Sequence, residues 1–165
     1  MAAISFDEMK EEYLSDILDI YNYYVLNSTA TFHTEPLTPE SMKNILFHKN
    51  KRFKSYSILD GDEICGYCIL APFKTREAYD TTAEATIYLK QGFTGRGIGS
   101  SALAYLEEQA EKNGFHTLLA VICGENDSSI NLFKNAGYEK CAHYKDLGIK
   151  FGRYLDIVCY QKIFR

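Results

Sequence analysis

"AEATIYLKQGFTGRGIGSSALAYLEEQAEKNGFHTLLAVIC", residues 83–123, carries three patterns in a row. Residues 83–89 alternate strictly, with Glu84, Thr86 and Tyr88 on one face and Ala83, Ala85, Ile87 and Leu89 on the other, as a strand with one polar face would. A glycine-rich turn follows, and then Leu103, Leu106 and Ala110 repeat at helical spacing up to an Asn113-Gly114 stop. "HTLLAVIC" is a short apolar run of the kind found in buried parallel strands. Together these predict one strand, helix, strand crossover.

The remaining chain adds elements on both sides of that unit. A short strand, "AISF", precedes "YLSDILDIYNYYV", whose Leu14, Ile17, Leu18, Tyr21 and Val25 form an amphipathic helical stripe. Thr38-Pro39 supplies an N-cap hydroxyl and a first-turn proline, so a second helix is expected from about Pro39 to Lys49, buried through Met42, Ile45 and Leu46. "SYSILDGDEICGYCILAPF" reads as a hairpin turning at Asp60-Gly61. "NDSSINLFKNAGY" is a last helix ended at Gly137, followed by the strands "EKCAHYKDLG" and "YLDIVCYQKI". The expectation is an α/β (α+β) fold in a single domain over residues 1–165, a mixed central sheet of about seven strands with about four helices on both faces.

Composition narrows the class of partner. With 18 basic and 22 acidic residues the net charge is -4, which repels a polyanion and argues against nucleic acid. The opening "MAAISFDEMKEEYLSD" has no apolar run suited to a signal peptide or membrane span, so a cytoplasmic protein is expected. Five cysteines, an odd number set in apolar segments, read as buried thiols of a reducing compartment. Cys65 and Cys68 form a C-x-x-C, but on a regular strand that offset points them to opposite faces. His33, His48, His116 and His143 show no ligand spacing, so no metal is expected.

The glycine turn could serve an anion. Counting from Gly92, the lysine of a nucleotide-triphosphate loop would fall on Ile98, which rules that loop out. Residues 97–102 match the dinucleotide fingerprint, yet only one parallel crossover fits in the chain. What survives is a strand end, a glycine-rich turn and a helix N-terminus, whose unpaired N–H groups suit a phosphate. A plain tight turn is the other reading.

Thr94-Gly95-Arg96-Gly97-Ile98-Gly99 resembles the pyrophosphate loop of the GNAT acetyltransferase superfamily, (Arg/Gln)-x-x-Gly-x-(Gly/Ala), with Thr94 at the position where arginine or glutamine is usual. Four further blocks, "TATFHTEPLTPE" (29–40), "AEATIYL" (83–89), "NDSSINLFKNAGYE" (126–139) and "GIKFGRYLDIVCYQ" (148–161), resemble the phosphinothricin and methionine sulfoximine N-acetyltransferase branch. Tyr154 stands where that branch commonly has tryptophan.

The resemblance implies an enzyme that moves acetyl from acetyl-CoA to the α-amine of a small amino acid or analogue (phosphinothricin, methionine sulfoximine or methionine sulfone type) by direct attack in a ternary complex. It implies a homodimer, and a resistance role against a toxic amino-acid analogue or a housekeeping one. The implied donor site comprises Ile87, Tyr88 and Leu89 for pantetheine and the thioester carbonyl, the loop Gly95, Arg96, Gly97, Ile98, Gly99 and Ser100 for pyrophosphate, and Asn126, which is equally an N-cap. Glu84 is the implied base or amine binder; its alternative is a structural glutamate paired with a lysine. Lys74, Thr75, Arg76, Glu84, Ala85, Thr86 and Arg153 are the implied acceptor contacts, the cations Lys74, Arg76 and Arg153 suiting an acceptor that bears a carboxylate or phosphinate. Many superfamily members place a tyrosine acid where Phe133 stands here, so no general acid is assigned. The rival functions are a GNAT enzyme for another amine (a peptide N-terminus, polyamine or aminoglycoside) and a non-catalytic CoA-binding regulatory module.

Overall fold

A computed structural model describes residues 3–165. The elements run β1 (Ile4–Glu8), a 3-10 turn at Glu11–Tyr13, α1 (Leu14–Asn27), α2 (Pro39–Leu46), β2 (Ser55–Asp60), β3 (Glu63–Pro72), a 3-10 turn at Glu77–Tyr79, β4 (Thr82–Leu89), α3 (Ile98–Lys112), β5 (Thr117–Cys123), α4 (Asp127–Asn135), β6 (Glu139–Lys150) and β7 (Arg153–Ile163). The seven strands form one mixed sheet in the order β1-β2-β3-β4-β5-β7-β6. β4 and β5 are its parallel pair, joined by the α3 crossover that the sequence pattern predicts.

Strand alternation divides the core. Ala83 and Ala85 of β4 pack with Ile98, Ala102, Leu103 and Leu106 of α3 and Phe133 of α4. On the other face Tyr67 and Ile69 of β3 pack with Ile17, Ile20, Tyr21 and Val25 of α1 and Met42 and Leu46 of α2, with Tyr88 of β4 against them. Glu84 and Thr86 share the face of Tyr88 by strand parity, and so look toward α1 and α2.

Two expectations need correction. α2 stops at Leu46 rather than near Lys49, because Phe47 is extended (φ −117, ψ 123) and the following basic, polar run makes turns. Thr38 caps the start as expected, its hydroxyl accepting from Ser41 N at 3.2 Å. Cys65 and Cys68 do not face opposite ways: both are fully buried in the α3 core. β2 and β3 slip in register there, Ile58 pairing Gly66 and Leu59 pairing Ile64, so Cys65 is the extra residue of a bulge that reverses strand parity. Gly66 at that bulge lies under β4, where a Cβ would come within 2.6 Å of the Tyr88 carbonyl oxygen. The cysteines are free thiols.

Candidate active site

β4 and β5 pair over three rungs only, Thr82 with Thr117, Ala83 with Leu118 and Glu84 with Leu119. Beyond Glu84 the strands part. Backbone groups that would continue the ladder are left for another partner, since buried amides and carbonyls must be satisfied somewhere. The gap opens into a cleft of about 970 Å³, lined by Glu84 to Leu89 on one side and Ala120 to Ile122 on the other.

The glycine turn closes one end. Gly95 and Gly97 hold φ of +73° and +80°, and no heavy atom lies within 4 Å of where their Cβ atoms would be. Gly97 is also the N-cap of α3, which has no side-chain cap and no acidic residue in its first turn. The first-turn N–H groups and the positive end of the helix dipole are therefore uncompensated by the protein, as an anion cradle requires. Gly95, Gly97, Gly99 and Ser100 line the cleft. Arg96 and Ile98 do not: the Arg96 guanidinium lies over the Phe93 ring at 5.0 Å, and Ile98 turns into the α3 core.

Asn126 lines the same cleft and caps α4, its side-chain oxygen accepting from Ser129 N at 3.2 Å. Phe133, also on the wall, is buried edge-on against Tyr138 and can donate no proton.

Glu84 stands where the strands separate. It is half-buried, and among the described residues neither a cation nor a hydrogen-bond donor pairs with its carboxylate. Burial pushes its carboxyl above the ordinary range. The structural alternative fails on this point, since no lysine among the described residues pairs with Glu84.

Acceptor-side residues scatter more widely. Ala85 and Thr86 line the cleft with Glu84. Lys74, Thr75 and Arg76 are exposed on the loop after β3, outside the lining set, with the Lys74 ammonium over Phe73 at 5.5 Å. Arg153 opens β7 and is paired in a fork to Glu125, at 2.8 and 2.7 Å. Glu125 also accepts from the Thr29 hydroxyl at 2.6 Å. The Arg153 guanidinium and the Thr29 hydroxyl hold the Glu125 carboxyl down to about 2.

Sequence reasoning assigned no role to Ser28, Thr29, Ala30 or Glu125, all of which line the cleft. The signal was present in "TATFHTEPLTPE", but its residues could not be placed without knowing that the exit from α1 folds over β4. Tyr24 and Tyr88 fix that exit, Tyr24 donating to the Leu89 carbonyl and Tyr88 to the Ala30 carbonyl.

Comparison with known proteins agrees with this geometry. The model of the acetyltransferase (GNAT) domain family matches residues 8–159. A phosphinothricin N-acetyltransferase of Streptomyces coelicolor is 35% identical, covering 92% of this chain and 91% of its own. An L-methionine sulfoximine/L-methionine sulfone acetyltransferase of Pseudomonas aeruginosa is 32% identical, covering 90% and 87%. The structure of a GNAT superfamily phosphinothricin acetyltransferase from Sinorhizobium meliloti, in complex with AcCoA, superposes with a TM-score of 0.91 at 30% identity, over 98% of this chain and 88% of that one. Divided parallel strands, an uncapped glycine turn and these matches converge: the chain belongs to the GNAT acetyltransferase family, whose acetyl donor is acetyl-CoA.

Proposed function

We propose that the protein transfers acetyl from acetyl-CoA to the α-amine of a small amino acid analogue of the phosphinothricin or methionine sulfoximine kind. Residues 1–165 act as one catalytic domain, and the cytoplasm supplies the donor. The observation that carries the reading is the unpaired Glu84 carboxylate at the point where β4 and β5 part.

Acetyl-CoA supplies an activated acyl group, and the chain supplies its orientation. The N–H groups at the start of α3 and the turn from Gly95 to Ser100 hold the pyrophosphate, while the exposed backbone of Ile87 to Leu89 pairs with pantetheine and aims a donor at the thioester carbonyl. An amino acid nitrogen is mostly protonated near neutral pH, so Glu84, directly or through one water, takes its proton before the nitrogen attacks. Its raised pKa matches it to that task. Thr86 and Tyr88, on the same strand face, shape the acceptor's position.

Three of the buried cysteines support direct attack as well. Burial pushes the Cys65, Cys68 and Cys159 thiols up, away from the thiolate an acetyl-enzyme would need. Phe133 leaves the departing thiolate to solvent, which is tolerable for so weakly basic a leaving group. Initial rates with acetyl-CoA and methionine sulfoximine varied together should give intersecting double-reciprocal lines. Parallel lines would contradict a ternary complex.

The protein acts as a homodimer in this reading. β6 is the last strand of the sheet, and Tyr144, Leu147, Ile149, Phe151 and Tyr154 are more than half exposed on and beside it, with Tyr154 at 66%. Such an apolar edge can be covered by its own copy across a two-fold axis.

A further inference from the structure

Lys150 is a buried cation without an anion. The side chain ends β6 and is 3% exposed, and no carboxylate among the described residues lies within ion-pair distance of it. Its Nζ instead donates to the carbonyl oxygens of Ser28 and Thr31, each at 2.7 Å. Removing an ammonium from water is costly unless its protons are satisfied, so these two carbonyls have to stay aimed at it. Burial also pushes the ammonium's pKa down.

The segment it holds is the exit from α1. Ser28, the C-cap of α1, is extended (φ −147, ψ 155), and Ser28, Thr29 and Ala30 form a wall of the cleft. That wall belongs to the acceptor side. It arises from the α1 and α2 face of the sheet, the face of Glu84, Thr86 and Tyr88, and Tyr88 donates to Ala30 across it. The pyrophosphate turn and the start of α4 come from the opposite face.

β6 supports the same segment at a second place. Gly148 lies so close beneath Phe32 that a Cβ there would come within 2.4 Å of the ring. Tyr21 steadies it from α1, through hydrogen bonds with the Thr31 hydroxyl and His33 Nδ1, both at 2.5 Å. The turn therefore gets its position from a strand about 120 residues away in the chain, with sequence separations of 122 and 119 for the two lysine bonds.

We propose that Lys150 is a positioning residue for the acceptor: its buried ammonium clamps the turn of residues 28–31 against β6 and so sets the acceptor-side wall of the cleft. The inference deepens the acceptor reading above and rests on it for its kinetic consequence. Lys150 touches no reacting atom. Its loss affects the acceptor and spares the pyrophosphate end of the donor, whose cradle is built by α3 and α4.

The test compares Lys150→Met, which keeps the stem and removes the donors, with Lys150→Gln, which keeps an N–H donor without the charge. With methionine sulfoximine, Lys150→Met is expected to raise the acceptor KM at least about tenfold while the acetyl-CoA KM stays within about twofold, and Lys150→Gln to fall between it and wild type. Amide hydrogen exchange across residues 28–33 should quicken in Lys150→Met while that of α3 does not. An acceptor KM and exchange pattern at wild-type level would overturn the proposal, as would an acetyl-CoA KM rising in step with the acceptor's. If Lys150→Met does not fold, Gly148→Ala, which drives a methyl into Phe32, is read by the same criteria. Exchange needs no acceptor, so a wild-type protein inert toward amino acid analogues would sink the acceptor reading and leave the clamp itself still decided by residues 28–33.

Discussion

Glu84 and Leu119 face each other in the last rung that β4 and β5 share. The carboxylate thus sits at the apex of the split, beside backbone released from the ladder and on the face that looks toward α1 and α2. No flexible loop places it there. A strand pairing that stops after three rungs does.

Removing that carboxylate should cost activity and simplify the pH profile. Glu84→Gln is expected to lower kcat/KM about 100- to 10,000-fold, the range for loss of a general base. In wild type, kcat/KM should climb as pH rises through a pKa above the ordinary carboxylate range, because burial favours the protonated form. A profile of Glu84→Gln that keeps this limb would assign it to another group.

The same residue should cost stability. A carboxyl whose folded pKa is raised binds more protons folded than unfolded, so stability falls as pH climbs from the unfolded to the folded pKa and stays lower above it. Glu84→Gln should therefore melt higher than wild type at pH 7, with the gain shrinking toward about pH 3, where both states are protonated. Equal melting temperatures at both pH values would show that Glu84 is better solvated than its half-buried position indicates.

Gly97 ties backbone conformation to donor binding. At φ +80° a side chain costs about 1–2 kcal/mol, and its Cβ would project into the open space of the turn. Gly97→Val should raise the acetyl-CoA KM by about tenfold or more with a much smaller change in the acceptor KM. Calorimetric titration with CoA gives the same comparison without turnover.

Arg153 and Glu125 should behave as one unit. The fork between them, and the Thr29 hydroxyl on the same carboxylate, place the pair beside the cleft wall of residues 28–30 with the guanidinium already matched to an anion. Arg153→Ala, Glu125→Ala and the double variant should show non-additive effects on the acceptor KM. Additive effects would favour Arg153 contacting the acceptor by itself.

How far this was legible in the sequence depends on the range of the interaction. The crossover from Ala83 to Cys123, the Thr38 cap and the Asn126 cap are written in local periodicity and capping, and each appears in the fold. The end of α2 was misplaced because His48 and Lys49 carry no stop signal and the chain turns out through an extended Phe47. Cys65 and Cys68 were read onto opposite faces because a bulge is set by pairing with β2, which alternation along β3 cannot reveal. Glu84 was singled out through a polar position on a buried strand together with the family blocks. Lys150 was not, since a lysine within "GIKFG" reads as one more exposed charge until the turn at residues 28–31 is seen to cover it.

The dimer reading has its own test. Ile149→Asp, at an exposed apolar position near the end of β6, should convert the species seen by sedimentation from dimer to monomer while the fold, by circular dichroism, is kept. A wild-type monomer at micromolar concentration would contradict the assembly.

The most direct measurement is release of free CoA from acetyl-CoA with phosphinothricin, methionine sulfoximine, methionine sulfone, spermidine and a short peptide, for wild type beside Glu84→Gln. The account predicts turnover with the amino acid analogues, little with spermidine or peptide, and at least about a tenfold loss of kcat/KM in the variant. Preferred turnover of spermidine or peptide, or binding of acetyl-CoA without turnover of any acceptor, would contradict it.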